Sequence, residues 1–344
     1  MHLETLLIKY PYKIAWYISR LFHKGMQIDF LCGNIVDYIC FKNIYALMPN
    51  IRIIARNKKV KKQLLQYGID APVYPNFPDV IIMARHLTRK YPVKKIKKIG
   101  MRHGAYHFKD FINKKKYNAF DIYFVTSKSE QKAAIARGIV KTVPIGFPKI
   151  DNAFKNNNLD KYKAKLNINP HLNTIIFSAT WDKKGYAAID KWYDKLDRLI
   201  DKYNVLVTVH PWTSKGKIAK IKNTEGVKYI EDKDILPYLM ISDLMIGDTS
   251  SILGEFCALD KPLITFEIPL VGRMTEETKT MLEDISFRVK NFDELIKTIP
   301  IALKNKNLHQ KARKKYNKIM FDQLDGKASE RAVRIIKEVV REYK

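Results

Sequence analysis

Histidine 103 stands before a glycine in the stretch Met101-Arg102-His103-Gly104-Ala105-Tyr106-His107. Gly104 lets the backbone turn tightly while the imidazole projects, and imidazole is the side chain best suited to take a proton near neutral pH. Between Arg89 and Lys116 there are eleven Lys or Arg and one acid, Asp110. Nearby positive charge disfavours a protonated ring, so the sequence predicts a neutral His103, able to act as a base, in a field that holds an anion. The plainer reading is a surface loop on a solvated basic face. His210 closes the run 204–209, where Pro211 stops the strand and leaves the ring at its lip. There it could contact a phosphate, or it could be a hydrogen-bonded core histidine. Residues 247–256, GDTSSILGEF, follow Asp248 with three hydroxyls, Thr249, Ser250 and Ser251, just before a helix-forming run. Hydroxyls cap helix starts, and helix starts attract phosphate through free N–H groups and partial positive charge. Glu255, about one turn in, suits ribose hydroxyls. One cap needs only one hydroxyl, so simple capping is the rival reading. Thr180 lies in Ser178-Ala179-Thr180-Trp181-Asp182, near a lysine pair and Gly185. Gly146 and Pro148 fix a loop in Gly146-Phe147-Pro148-Lys149-Ile150-Asp151.

These segments need strands to carry them. Short apolar runs at 28–33, 51–55, 79–84, 121–127, 174–180, 204–211, 227–231, 244–248 and 262–267 are strand candidates, with KKIKKIG before Met101 as a shorter one. Longer amphipathic stretches separate them, for example 187–203, which predicts a helix. Such alternation predicts parallel α/β sheets, with ligands beyond the carboxyl ends of the strands. A polar stretch, 152–173, is the candidate linker. The expected organisation is two Rossmann-like doubly wound domains facing a cleft: an acceptor-side domain over 1–160, a nucleotide-donor domain over 161–325, and a C-terminal helix over 326–344 packing across the domains. In that helix Ala332, Ile335, Ile336, Val339 and Val340 form one stripe.

The chain of 344 residues carries 63 Lys or Arg against 35 Asp or Glu, a net charge of +28, which predicts attraction to something anionic. The recognition patterns of zinc fingers and helix-turn-helix proteins are missing, so no specific nucleic acid is expected. Three cysteines, with no C-x-x-C pair, fit a reducing compartment without disulfides or a zinc site. No run reaches 18 uncharged apolar residues, and the N-terminus lacks a signal peptide's order. Its Tyr10, Ile14, Tyr17, Ile18 and Leu21 recur at helical spacing, with Lys9, Lys13 and Arg20 elsewhere on the wheel. That helix would lie on a bilayer or pack on its own domain.

Taken in order, the motifs resemble the CDP-glycerol glycerophosphotransferase family of teichoic acid and capsule synthesis, over roughly residues 95–270 and the tail. His103-Gly104 matches its His-Gly loop. Residues 146–151 match Gly-x-Pro-Arg-x-Asp with Lys149 for Arg, and 179–182 match Pro-Thr-Trp-Arg with Asp182 for the last Arg. Residues 208–211 match Arg-x-His-Pro with Thr208 for Arg. Asp248, Ser250, Ser251 and Glu255 match the Asp-Tyr-Ser-Ser motif and its second acid, and 325–331 match the C-terminal signature. The resemblance implies a glycosyltransferase-B type fold and transfer of glycerol phosphate, or a related polyol phosphate, from a CDP-activated donor to a hydroxyl of a lipid-linked or polymeric glycan, releasing CMP. It implies His103 as general base and His210 as a stabiliser of phosphoryl charge. Thr180, Thr249, Ser250, Ser251 and Glu255 would hold the donor. Gly104, Gly146, Pro148 and Asp248 would support the loops. No metal-ligand cluster is visible in the sequence, so neither a metal nor another cofactor is expected. A cytoplasmic enzyme on the inner face of an anionic membrane fits this reading. The competing readings are a nucleotide-sugar glycosyltransferase or sugar-nucleotide epimerase on the same fold, and a polymer-binding module without catalysis.

Overall fold

The computed structural model describes residues 3–22, 25–105, 113–155, 158–182, 187–269 and 275–343. Of the motifs above, Tyr106, His107, Lys109 and Asp110, and likewise Lys183, Lys184 and Gly185, lie outside the described residues. The chain divides into two compact units. Described residues within 1–103, 111–151 and 325–344 form the first; those within 104–110 and 152–324 form the second.

The first unit holds a six-stranded sheet of β1 (Ile28–Cys32), β2 (Arg52–Ala55), β3 (Val80–Met83), β4 (Lys97–Gly100), β5 (Ile122–Val125) and β6 (Thr142–Pro144), in the order β2-β1-β3-β4-β5-β6. Every pairing is parallel. β1 and β3 are buried along their whole length, as a sheet covered on both faces requires. Gly100 ends β4 because a Cβ there would lie 2.2 Å from the Tyr123 ring.

The helix Leu3–Phe22 packs on its own unit, but through residues other than the predicted stripe. Tyr12 and Trp16 are buried; the Tyr12 hydroxyl donates to Asn76 O at 2.7 Å and the Trp16 indole to Pro78 O at 2.7 Å. Arg20 pairs with Asp79 at 2.5 Å. The apolar stripe Tyr10, Ile14, Tyr17, Ile18 and Leu21 lies on the other side and is exposed, with Ile14 at 60% and Leu21 at 81%.

At the other end of the chain, the helix Ala328–Tyr343 buries Ala332, Ile335, Ile336 and Val339 and packs on the helix Ile35–Leu47. Its start is held by the loop 146–151. Asp151 accepts from the backbone N–H groups of Ala328 and Ser329 at 3.0 and 2.7 Å, and Arg331 donates to Ile145 O at 2.8 Å. Gly146 has φ +83°, and a Cβ there would meet Ala328 Cβ and an Arg331 nitrogen at 3.0 Å.

The second unit repeats the architecture with β7 (Thr174–Ala179), β8 (Asn204–Val209), β9 (Val227–Tyr229), β10 (Leu244–Gly247), β11 (Leu263–Phe266) and β12 (Phe287–Val289). The order is β12-β11-β10-β7-β8-β9, again all parallel. The chain runs outward from β7 to one edge and from β10 to the other, so the crevice between β7 and β10 is the topological switch point. The stretch 187–203 is not a continuous helix. It forms two 3-10 turns, Ile189–Lys191 and Leu196–Leu199. Its buried residues Ile189, Trp192, Leu196 and Leu199 include two i,i+3 pairs, which a 3-10 turn eclipses on one face. Trp192, fully buried, anchors the stretch against Phe177 at 5.1 Å.

Candidate active site

In the first unit the loops after β3 and β4 meet at His103. Its Nδ1 lies 3.1 Å from Ala84 O. A carbonyl only accepts, so Nδ1 carries the hydrogen and Nε2 the lone pair of the neutral ring. The His103 pKa is pushed down to about 4, first by burial, then by the positive charge of Arg85, with Arg102 adding to it. A neutral ring is therefore what the structure holds. The reason differs from the sequence argument: burial leads, and Arg85 lies outside the 89–116 run. Both arginines are fixed by acids. Arg85 Nε pairs with Asp37 at 3.0 Å, and Asp37 also accepts from the N–H groups of Gly33 and Asn34. Arg102 pairs with Glu130, which accepts from the Thr126 N–H and hydroxyl. Sequence reading passed over Arg85; its only signal was a basic residue just after a strand. Gly104 is buried.

In the second unit, Asp248 organises the switch-point crevice. It is fully buried, and its carboxylate accepts from the backbone N–H groups of Thr180, Ala188, Thr249 and Ser250. It thereby ties the loop after β7 to the loop after β10. Gly247 makes this approach possible, since a Cβ would sit 3.3 Å from Ser178 O. Thr249 is buried; Ser250 and Ser251 are partly exposed. Simple capping does not account for the hydroxyls, because the N-cap Ser251 makes no side-chain cap bond to the helix Ile252–Ala258. Ser250 Oγ accepts from Ile252 N–H only at 3.4 Å. A small cavity of about 30 Å³ touches Thr249, Ser250, Ser251, Gly254 and Ala105. Glu255, in the helix Ile252–Ala258, is 2% exposed and does not line this cavity.

His210 follows β8 and is half-buried, which lowers its pKa. Its Nδ1 accepts from the Trp212 N–H at 3.2 Å, so the neutral ring carries its hydrogen on Nε2. His103 and His210 thus adopt opposite tautomers: the first offers a base, the second a donor. Trp181 and Trp212 stand 5.0 Å apart and Trp212 lies 5.1 Å from His210, giving an aromatic group at the ends of β7 and β8. Trp212 is 69% exposed. Asp182 bonds the Ser214 N–H and pairs with Lys217 at 3.2 Å, so it braces the loop after β8. Thr208 is buried inside β8. Gly146 and Pro148 belong to the clasp on the last helix. Among the described residues, no group of three or more His, Cys, Asp or Glu is placed to hold a metal ion.

Two parallel α/β units with a built loop at the switch point define a glycosyltransferase-B type chain, and solved structures agree. A variant of the wall teichoic acid polymerase TagF superposes with TM-score 0.70 over 99% of both chains at 17% identity. UDP-GlcNAc 2-epimerase from Neisseria meningitidis superposes with TM-score 0.63 over 91% of this chain and all of its own at 14% identity. The profile of the family described as CDP-Glycerol:Poly(glycerophosphate) glycerophosphotransferase matches residues 89–338, and the chain belongs to that family. Relatives include the teichoic acid ribitol-phosphate polymerase TarK of Staphylococcus aureus, 24% identical over 74% of this chain and 51% of the relative. The teichoic acid glycerol-phosphate primase of Bacillus subtilis is 28% identical over 45% of this chain and 42% of its own. The chain spans about half the length of the curated relatives it matches.

Proposed function

We propose that the chain transfers glycerol phosphate, or a related polyol phosphate, from a CDP-activated donor to a hydroxyl of a cell-wall polymer. The observation that carries this reading is the neutral His103, with its Nε2 lone pair, in a member of the glycerophosphotransferase family. His103 Nε2 takes the proton of the acceptor hydroxyl as its oxygen attacks the β-phosphorus. The bond from that phosphorus to the bridging oxygen breaks, and CMP leaves. His210 Nε2–H donates to a phosphate oxygen, and the hydroxyls of Thr249, Ser250 and Ser251 hold the donor phosphates with Thr180 beside them. Glu255, one turn into the helix that follows them, is the residue assigned to the ribose.

The finer reading is a lipid-linked acceptor met at the inner face of an anionic membrane. It is supported by the exposed stripe of the helix Leu3–Phe22. Lys9 and Lys13 stand within 6 Å of the Tyr10 ring centre and Lys95 within 6 Å of that of Tyr17. Among the described residues, no helix is long and apolar enough to cross a membrane.

The test is product analysis with CDP-glycerol, CDP-ribitol and a panel of UDP- and GDP-sugars, with a membrane extract as acceptor source. Acceptor-dependent CMP from a CDP-polyol, lost in His103→Ala, is expected. UDP or GDP release, or epimerised sugar nucleotide, would overturn the reading in favour of a glycosyltransferase or epimerase.

A further inference from the structure

The phosphate-seat loop opens onto a second, larger space. Thr249 and Leu282, which border the small cavity beside Ser250, also border a cavity of about 470 Å³ beyond the ends of β11 and β12. Its polar wall is Glu267, Lys279, Glu283 and Arg288. Glu267 is the first residue after β11, and its N–H is fixed on Val289 O at 2.8 Å. Arg288 lies in β12 opposite Thr265, and its Nη1 donates to Thr265 Oγ1 at 2.5 Å. Thr265 Oγ1 is itself 2.5 Å from Ser286 Oγ, so the guanidinium stands on a buried hydroxyl pair. Lys279 and Glu283 come from the helix Glu276–Ile285.

Two properties mark this wall. In a chain of net charge +28, the two carboxylates and two cations among the described lining residues balance. None of the described lining residues is aromatic, whereas the opposite flank of the crevice, at β7 and β8, carries Trp181, His210 and Trp212. A nucleobase seeks a stacking surface. A group with many neutral hydroxyls, each both donor and acceptor, is best matched by alternating carboxylates and cations with no net charge. At roughly 30 Å³ of liquid volume per water, the space admits a five-carbon polyol with water to spare.

Resting on the transferase reading above, we infer that this cavity is the donor's polyol subsite: the diphosphate sits at residues 249–251, the base turns toward Trp181 and Trp212, and the polyol enters the space between Glu267 and Arg288. Glu267, Glu283 and Arg288 then choose the polyol through its hydroxyls.

The test compares wild type with Glu267→Gln and Arg288→Gln. Calorimetry gives the Kd for CDP and for CDP-glycerol, and initial rates give kcat/KM for CDP-glycerol and CDP-ribitol. The expected result is a CDP Kd within twofold of wild type, which also shows that the fold is kept. The tighter binding of CDP-glycerol over CDP should be lost, with a fall of about tenfold or more in kcat/KM for polyol donors, the size of one hydrogen bond to a charged group. The glycerol-to-ribitol ratio should change several-fold. Equal losses for CDP and CDP-glycerol would place the nucleotide there and overturn the inference. So would unchanged binding and rates. Binding is read without turnover. A wild type that holds CDP-glycerol tighter than CDP, loses that margin in Glu267→Gln, and turns over neither donor would refute the transferase reading while supporting the subsite.

Discussion

The tautomer and charge of His103 give the sharpest test. At pH 6 an imidazole of ordinary pKa is about three-quarters protonated, whereas one at about 4 is about 1% protonated. The Nδ1–H on Ala84 O leaves Nε2 unprotonated from neutral pH down to near 5. Imidazole nitrogens report this directly in a two-dimensional proton–nitrogen NMR spectrum of the labelled protein, assigned with His103→Gln. The expected pattern is a neutral Nδ1–H form for His103, unchanged between pH 7.5 and 5, and a neutral Nε2–H form for His210. The acid limb of kcat/KM should likewise fall well below 6.5. The perturbation is Arg85→Met paired with Asp37→Asn, which removes the second cause of the shift without leaving a buried carboxylate unpaired. Burial remains, so the His103 pKa should rise only part of the way toward 6.5, and the acid limb should move with it. Stability follows the same sign. The folded pKa lies below the unfolded one, so the unfolded chain binds the extra proton between pH 6.5 and 4, and stability falls as pH drops through that window. The full effect is at most roughly 3 kcal/mol, less for the solvent that the ring keeps. A His103 that carries its hydrogen on Nε2 would refute the tautomer argument and the base assignment together, and one that titrates near 6.5 would refute the burial argument.

Other outcomes follow from the same geometry. His103→Ala should lower the transfer rate by roughly 10²–10⁴-fold with CDP affinity kept, by rates and calorimetry. His210→Ala should cost on the order of 10–100-fold in kcat/KM, as loss of a hydrogen bond to a charged oxygen does, and His210→Gln, which keeps an N–H, should recover part of it. Gly146→Ala should destabilise the protein by about 1–2 kcal/mol or more, read as a shifted denaturation midpoint, because φ +83° and two 3.0 Å contacts both oppose a Cβ. Replacing Ile14, Ile18 and Leu21 by Glu should abolish flotation with anionic vesicles at low salt while leaving thermal stability nearly unchanged, since these side chains are exposed.

The strands were legible because buried parallel strands read as unbroken apolar runs: 174–180, 204–211 and 262–267 each contain the observed strand. Two of the three-residue strands were not: β6, Thr-Val-Pro, and β12, Phe-Arg-Val, are too short for a pattern, although β9, Val227–Tyr229, lies within the run 227–231. The amphipathic pattern over 187–203 was real, but the spacing of its buried residues also suits 3-10 turns, and a single sequence does not separate the two. At the site, residue types announced the loop 247–256, while the reason for Asp248 did not show. Its four backbone partners come from positions 180, 188, 249 and 250, which only the fold brings together. Gly146 and Pro148 were chosen for a fixed loop, and that loop clasps the last helix, a contact between positions 151 and 328 that local sequence cannot reveal.

That clasp bears on how the chain is made. Asp151 and Ala328 are separated by 177 positions, and the main body of the second unit, residues 152–324, is translated between them. On the ribosome the second unit can emerge and fold while the first still lacks the helix that packs on Ile35–Leu47. The first unit is then completed last, in a late long-range closure that carries a loop-entropy cost but little dependence on how long the intervening segment is. Released chains truncated before residue 328 should therefore present a protease-resistant second unit beside a first unit that is still cleavable.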